Sequence, residues 1–356
     1  MSSSSHRPLS EVGGTSRDDF EAIARRIDAN PIGRLMYGQR ELFHSNLLGW
    51  YFDALPEAAD ATFRPFSLDG ADTRRFVERE RGHIDLVFHW ADRAPLVIEN
   101  KVFSLPRREQ LDGYRAATAG WQHPPAFVLL SVSEPDFVLD EWRHVDYGEL
   151  AERIVDALPG DPSYEVETMR RYALLVSDLD RLISTVDIRS DDEPVWLSDS
   201  LLSSLSSSQM RAALQKARAQ RIARSLNDML PGLDPPAKGD LSNATPLVEI
   251  LERSRVDGKD ALLGWQLQGD QFRRAAVYWG GGIDGRDARS KQRREELSRA
   301  HPEFFAFPNG LPQAHQGRKE FNHFAPSFVY QYVKTPGLTV GQLKAAAVAV
   351  HDAVRG

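Results

Sequence analysis

Three charged residues interrupt apolar segments in the first third of the chain. Asp85 lies within HIDLVFHW, and Glu99 and Lys101 lie within PLVIENKV. Burying a charge costs free energy unless the charge is paired or binds a metal ion. Two carboxylates that share a hard divalent cation such as Mg²⁺, with an ammonium group beside them, could activate a water molecule for hydrolysis.

The segments that hold these residues are predicted to be two strands of a hairpin, joined by the turn ADRA at residues 91–94. Successive side chains of a strand point to opposite faces, so Val97, Glu99 and Lys101 are expected to share one face. The opposite face, which we expect in the core, carries Leu96, Ile98 and Asn100.

The hairpin also predicts where the second carboxylate lies. If Val87 opposes Val97, then Asp85 opposes Glu99, and directly opposed residues have Cβ atoms about 4.5–5.5 Å apart. Two carboxylates at that distance repel each other unless a cation lies between them. We therefore expect a Mg²⁺ site on the face that carries the charged pair, with Lys101 orienting or deprotonating the water or stabilising charge on a phosphate.

A solvated surface pair is the alternative interpretation of an acid and a base two residues apart on a strand. Three features favour the metal site. Apolar residues flank the charged pair on both faces of its strand, and Asp85 stands at the matching position of the preceding strand. The helix that follows carries Gln110 and Tyr114, which are spaced to lie on one side of a helix.

The charged residues resemble the pattern of the PD-(D/E)XK nuclease superfamily, in which an Asp on one hairpin strand precedes (D/E)-x-K on the next. Here the pattern is formed by Asp85 and by Glu99, Asn100 and Lys101. Ile84 occupies the position where the superfamily name has Pro, and other members often have an aliphatic residue there.

Two further motifs extend the resemblance over about residues 40–150. Many members carry Q-x-x-x-Y on the next helix, which Gln110 and Tyr114 match in QLDGY. Many also place a Glu on an upstream helix, and Glu41 in ELFHSNLLGW is in the corresponding place. His44 shares that helical face, and we interpret it as a structural histidine rather than a ligand.

The resemblance implies metal-dependent hydrolysis of phosphodiester bonds, usually in DNA, with Mg²⁺ as cofactor and Mn²⁺ as an alternative. It implies that Asp85 and Glu99 hold the metal, with the backbone carbonyl of Asn100 as an extra ligand. Glu41 would add a contact through a second metal or a water molecule. Lys101 would assist the nucleophilic water, while the Q-x-x-x-Y pair would position the site or the phosphate strand.

The element order predicts an α/β fold. Helical patterns precede three strands, a helix and one or two strands, and further helices follow, as in a restriction-endonuclease-like mixed sheet core flanked by helices. We predict a disordered tail at residues 1–19, a catalytic domain at 20–187, a Ser- and Asp-rich linker at 188–208 and an α+β domain at 209–356. The last would recognise substrate or a partner.

The predicted C-terminal domain begins with a helix at residues 209–230 and contains a second charged helix at 286–300. Both are candidates for phosphate contacts, although charge runs are more often solvated faces. Two hairpins are predicted, ALLGWQLQG with QFRRAAVYW and FFAFPNG with SFVYQYV, and a final helix follows. Trp265 and Phe272 could stack on bases, but packing in the hairpin core is the favoured interpretation.

Composition limits the classes of function. The 356 residues include no cysteine, which excludes disulfides and thiolate metal sites. No run approaches the roughly 18 apolar residues of a membrane span, and the N-terminus has no apolar signal segment, so we expect a cytoplasmic protein. A net charge of −7 argues against bulk electrostatic binding of nucleic acid but leaves local basic patches open.

The function expected from the sequence is that of a metal-dependent nuclease acting on DNA, with RNA not excluded, in defence against foreign DNA or in repair. One alternative is a catalytically silent nucleic-acid-binding or scaffold protein that retains the nuclease fold. Another is a subunit of a homo-oligomer or of a larger defence assembly. The intact set of Asp85, Glu99 and Lys101 argues against a silent protein, because a binding module does not need these three residues.

Overall fold

The computed structural model describes most of the chain in atomic detail. The described residues are 17–36, 40–67, 74–81, 84–102, 106–132, 135, 137–256, 259–278, 299, 301–312, 315–316, 322–324 and 328–355. The first helix, α1 (Arg17–Ala29), begins inside the segment that we predicted to be a disordered tail. Asp18 and Asp19 lie in its first turn, where carboxylates interact favourably with the helix dipole, so residues 17–19 are helical.

Five described strands form a mixed sheet in the first half of the chain. They are β1 (Arg75–Arg81), β2 (Ile84–Trp90), β3 (Leu96–Lys101), β4 (Ala126–Ser131) and β5 (Trp142–Val145). The strands lie side by side in chain order. The first three pair antiparallel, while β3–β4 and β4–β5 pair parallel. The predicted mixed α/β arrangement, with a hairpin at β2–β3, is confirmed, and β3 is the central strand.

Helices cover both faces of this sheet. They are α2 (Pro31–Met36), α3 (Arg40–Ala54), α4 (Pro56–Phe63), α5 (Arg108–Thr118), α6 (Tyr147–Ala157) and α7 (Tyr164–Ser184). The larger hydrophobic core lies between one sheet face and the helices α1, α3, α4, α6 and α7, and it includes Leu96 and Ile98 as predicted. On the opposite face α5 packs through Leu111 and Tyr114.

The serine-rich segment 188–208 is packed rather than extended into solvent. Val195, Leu202 and Leu205 are buried. The backbone N–H of Val195 donates a hydrogen bond to the carbonyl of Leu338 at 2.9 Å. The serines that suggested a linker act in part as helix caps. Ser198 caps the short helix α8 (Asp199–Leu202), and Ser207 caps α9 (Ser208–Met229).

A second sheet occupies the last third of the chain. Its described strands are β6 (Lys238–Ser242), β7 (Thr245–Val256), β8 (Lys259–Gln268), β9 (Gln271–Tyr278), β10 (His315–Gln316), β11 (Asn322–Phe324) and β12 (Phe328–Lys334). The order is β10-β12-β9-β8-β7-β6, with β11 also paired to β12. All of these pairs are antiparallel. The final helix, α10 (Val340–Arg355), packs on one face together with the second half of α9.

The sequence predicted this sheet only in part. The β8–β9 hairpin is confirmed, but β6 and β7 were missed. The second predicted hairpin is wrong, because Pro302–Phe305 form a 3₁₀ helix in place of its first strand and β12 pairs with β9. Most of the charged helix predicted at residues 286–300 lies outside the described residues. Trp265 and Phe272 stack on each other within the core, as favoured above.

No helix in the described part of the chain is both long enough and apolar enough to cross a membrane.

The basic face predicted on α9 is largely engaged within the protein. Lys216 forms an ion pair with Asp240 at 2.9 Å, and Arg221 forms one with Asp187. Arg218 is only 2% exposed. Its guanidinium donates hydrogen bonds to four backbone carbonyls and one carboxylate, those of Val186, Asp187, Pro194, Val195 and Glu193. The structure therefore corrects the phosphate-contact hypothesis for these three cations.

Arg218 is expected to anchor the segment before α8 to α9. Arg218→Met leaves several buried carbonyls without donors, so we expect the free energy of unfolding to fall by about 3 kcal/mol or more. Urea denaturation measures this loss. Arg211→Met on the same helix is the control, because Arg211 forms no ion pair with a described residue, and it should change stability by less than about 1 kcal/mol. Equal stability of both variants would contradict the anchoring role.

Candidate active site

The pairing of β2 with β3 brings Asp85 to the end of β3. Val87 lies opposite Val97, so the predicted register is confirmed. Beyond the last described pair of this ladder, Asp85 Oδ2 accepts a hydrogen bond from the backbone N–H of Asn100 at 3.0 Å. The carboxylate of one strand thus lies against the backbone beside Glu99 on the other.

Glu99 and Lys101 point to the same face of β3 and form an ion pair between Nζ and Oε1. Glu99 has no exposed surface, Lys101 is 8% exposed, and Asp85 is half-buried. The three charged groups therefore converge at one end of the hairpin. Of the three, Asp85 has the largest exposed share.

Much of this face of β3 is covered by other parts of the protein. Leu111 and Tyr114 of α5 pack on it, together with Val97 and Leu129 of the sheet. The reason is that β3 is the central strand of the sheet and has helices over both faces. The charged groups lie at the carboxyl end of the strand, beside the covering helix.

Burial raises the pKa of Glu99, and the nearby charge of Asp85 adds to this effect, so that the pKa is about 8. The ammonium of Lys101 and the hydroxyl of Tyr114 oppose these effects, because both favour the ionised carboxylate. Desolvation is the largest of these effects. The ionised form of Glu99 is therefore costly unless more positive charge reaches it.

Both carboxylate oxygens of Glu99 are buried, and the donors that reach them are the ammonium of Lys101, at Oε1, and the hydroxyl of Tyr114. Glu252 provides a comparison, because it is a second buried glutamate, 4% exposed. Its oxygens contact His351 Nδ1 at 2.6 Å and Arg355 Nε at 3.1 Å. Both buried glutamates thus have two donors, but Glu99 also lies beside a second carboxylate, that of Asp85. Two donors leave part of the lone-pair capacity of the Glu99 carboxylate open, and a cation between Glu99 and Asp85 would offset their repulsion.

The backbone of Asn100 adds a third candidate oxygen. In an extended strand the N–H and C=O of one residue point to the same edge. The N–H of Asn100 faces Asp85, so its carbonyl lies on that edge too. Lys101 faces the other edge, because its carbonyl accepts from Val132 N at 3.2 Å. Asp85, Glu99 and this carbonyl could therefore hold a hard divalent cation.

Glu41 lies in the first turn of α3, but its side chain lies outside the described residues. Its backbone is one turn before Ser45, about 6 Å along the helix axis. Ser45 Oγ accepts a hydrogen bond from Asn100 Nδ2 at 2.7 Å. The helix that carries Glu41 therefore contacts the residue between Glu99 and Lys101.

The Q-x-x-x-Y pair lies beside the carboxylates. Gln110 Nε2 donates to the hydroxyl of Tyr114 at 2.9 Å, as the spacing of one helical turn allows. Burial raises the pKa of Tyr114, and the charges of Glu99 and Asp85 raise it further. The phenol is therefore held neutral next to Glu99. Leu111, Tyr114 and Thr118 form the buried stripe that fixes α5 on the sheet.

Sequence reasoning missed three residues at this end of the sheet. Tyr147 donates to Asn100 Oδ1 at 3.3 Å, so the side chain of Asn100 is held from two sides. Ser131 lies beside Lys101 in the parallel register, and its Oγ is 2.9 Å from His144 Nε2. A signal was present, since Ser131 is the polar end of the apolar strand AFVLLS and the carboxyl ends of parallel strands share one edge.

Two histidines near the charged strands have partners other than the carboxylates of Asp85 and Glu99. His44 is buried, and its Nδ1 lies 3.0 Å from the hydroxyl of Tyr172. Burial lowers the pKa of His44 to about 3, so the ring is neutral, as in a structural histidine. His89 lies on the Asp85 face but four residues along β2, where its Nε2 is 3.0 Å from Glu78 Oε2.

Among the side chains that the structure describes, no three or more His, Cys, Asp or Glu residues form a group able to hold a metal ion. The candidate site instead combines two carboxylates with a backbone carbonyl and a lysine. Comparison of the chain with protein-family models, with curated proteins and with solved structures found no match. The chemistry of the site must therefore be argued from its own residues.

The raised pKa of Glu99 predicts a pH dependence of stability in metal-free solution. Between its ordinary value near 4.5 and about 8, the folded state binds more protons at Glu99 than the unfolded state does. The contribution of Glu99 to stability therefore falls as the pH rises through that window. Glu99→Gln removes this penalty. We expect the free-energy difference between variant and wild type to shift by a few kcal/mol in favour of the variant from pH 5 to pH 9.

Urea denaturation of both proteins in EDTA at several pH values measures this shift. Glu152→Gln is the matched control, since Glu152 is an exposed glutamate on α6, and its difference from wild type should be nearly constant with pH. If the free energy of unfolding of Glu99→Gln also differs from that of wild type by an amount that does not change with pH, the raised pKa of Glu99 is contradicted.

Proposed function

We propose that the chain is a metal-dependent nuclease that hydrolyses phosphodiester bonds of DNA, with a restriction-endonuclease-like catalytic domain of the PD-(D/E)XK type. The observation that carries the proposal is the convergence of Asp85, Glu99 and Lys101, with the carboxylate of Glu99 fully buried beside the second carboxylate of Asp85. A surface ion pair would be hydrated, whereas Glu99 has no exposed surface.

The order of elements supports the same proposal. A helix, three antiparallel strands, a helix and two parallel strands follow one another as the resemblance to that superfamily implies. The helix after the ion-pair strand places Gln110 and Tyr114 beside Glu99. The described side chains of the motif thus come from three separate segments of the chain, β2, β3 and α5.

In this proposal Asp85, Glu99 and the carbonyl of Asn100 hold Mg²⁺ or Mn²⁺. When bound, the metal would polarise the phosphodiester and lower the pKa of a water molecule. Lys101 orients that water or stabilises charge on the phosphate through its ammonium group. Tyr114, fixed by Gln110, keeps Glu99 in place, and α5 excludes bulk water from the buried side.

Asp85→Asn and Lys101→Met are expected to reduce cleavage by about 10²-fold or more, because each removes one charged group from the site. Asn at position 85 retains an oxygen that can accept from the backbone of Asn100, so the fold should persist. The assay incubates each protein with linear duplex, closed circular and single-stranded DNA and with RNA, in Mg²⁺, Mn²⁺ or EDTA. Closed circles separate endonuclease from exonuclease action.

Asp112→Asn and Lys344→Met are the matched controls, since both residues form ion pairs on the outside of the protein and should leave cleavage unchanged. Wild-type cleavage by Asp85→Asn or Lys101→Met would refute the site. If the wild-type chain cuts nothing and calorimetry detects no metal binding, the proposal fails and the silent binding protein is favoured. A stable complex on pull-down with no cutting by the lone chain favours the subunit of an assembly.

A further inference from the structure

The second sheet has a helical layer on one face only, within the part of the chain that the structure describes. The buried side chains of α9 and α10 pack against Val248, Ile250, Trp265, Phe272 and Val333, which all lie on that face. The 3₁₀ helix contributes Phe305 to the same side, beside Leu263 and Ala276. Phe272 of β9 and Val333 of β12 point toward this helical layer. The residues next to them along each strand therefore point to the opposite face of the sheet.

Three aromatic rings lie in a row on that opposite face. Phe328, Tyr330 and Tyr332 alternate along β12, and all three are half-buried, so part of each ring remains exposed. The centroids of Phe328 and Tyr330 are 5.9 Å apart in an edge-to-face arrangement, and those of Tyr330 and Tyr332 are 6.4 Å apart with tilted planes. Neither pair of neighbouring rings is stacked face to face.

A guanidinium group lies over the middle ring of this row, so a base would stack on the other face of that ring. Arg273 of β9 stands opposite Tyr332, and its Cζ is 4.8 Å from the ring centroid of Tyr330. Its donors contact Gln266 Oε1 at 2.8 Å and Gln271 Oε1 at 2.8 Å. Both partners are neutral amides, and no described carboxylate lies within ion-pair distance of Arg273. The positive charge is held in place without being neutralised.

The row of rings has a second cation at its end. Lys334 continues the same alternation along β12, and its side chain is 44% exposed. It contacts Asp270 at 3.3 Å in the turn between β8 and β9. Exposed rings that are flanked by cations match the chemistry of a chain of bases joined by phosphates, because bases stack on aromatic faces and phosphates pair with guanidinium and ammonium groups.

We propose that this face of the second sheet, formed by Phe328, Tyr330, Tyr332, Arg273 and Lys334, binds single-stranded nucleic acid by stacking bases on its rings. Duplexes are excluded because their bases are already stacked and paired, so they cannot lie flat on the row. The surface is separate from the carboxylate site, and it requires no metal and no hydrolysis. It goes beyond the proposed nuclease activity, which does not depend on it.

The test is fluorescence anisotropy with the full chain in EDTA, so that cleavage cannot occur. The probes are labelled oligo-dT and oligo-U of about 12 nucleotides, within the usual site size of such surfaces, and a DNA duplex of the same length. We expect both single strands to bind better than the duplex. The DNA and RNA probes show which sugar the face prefers.

Tyr330→Leu with Tyr332→Leu is expected to weaken binding at least tenfold, because each ring that stacks on a base contributes a factor of about five or more. Tyr330→Phe with Tyr332→Phe keeps the rings and should bind within about threefold of wild type.

Arg273→Gln should reduce the slope of log affinity against log salt by about 1. Tyr164→Leu is the control, since Tyr164 is 77% exposed at the start of α7 and should have no effect.

Circular dichroism shows whether each variant is folded, and if the Leu pair unfolds, the salt dependence of Arg273→Gln still tests the surface, because an unchanged slope would contradict the proposal. Binding that is unchanged in the folded Leu pair, or tighter for the duplex than for single strands, overturns the proposal. A third result would also overturn it: wild type binds no oligonucleotide and sediments as a dimer, and the Leu pair sediments as a monomer. The face would then be an interface between two copies of the chain. Asp85→Asn should bind like wild type, so failure of this inference and failure of the nuclease proposal are distinguishable.

Discussion

The central constraint on this protein is a carboxylate with no exposed surface at the end of the middle strand of a sheet. Glu99 is desolvated by α5 and by the neighbouring strands, and Asp85 adds a second negative charge nearby. Lys101 offsets only part of this cost, because burial and Asp85 still raise the pKa of Glu99 to about 8. Such an arrangement is costly for stability alone, and a bound cation would relieve it.

The elements around the first sheet position these groups. The hairpin register places Asp85 against Asn100, and the side chain of Asn100 is in turn held by Ser45 and Tyr147. Because the side chains of β3 alternate between its two faces, each face has a different role. The face with Glu99 and Lys101 carries the charges, while the face with Asn100 connects the strand to α3 and α6. Rigid support of this kind keeps the carboxylates close despite their repulsion.

Part of this architecture follows from the sequence, and part does not. The opposition of Val87 and Val97 in β2–β3, from which the position of Asp85 was predicted, is confirmed. The alternation of β3 predicts its two faces, but not that α5 covers the charged one, since covering depends on tertiary packing. In the second sheet, β7 was missed because Leu247 and Leu251 lie on the face opposite Val248 and Ile250, which obscures the alternation. On α9, the cations appeared solvated because their partners Asp187, Glu193 and Asp240 are distant in sequence.

The claim that Asp85 and Glu99 share a cation is tested most directly by a crystal of the full chain grown with Mn²⁺ and measured by anomalous diffraction. The account predicts an anomalous peak bounded by these two carboxylates and by the carbonyl of Asn100, and its loss in Asp85→Asn. A crystal that holds Mn²⁺ elsewhere, with Glu99 still paired only to Lys101, would contradict the account.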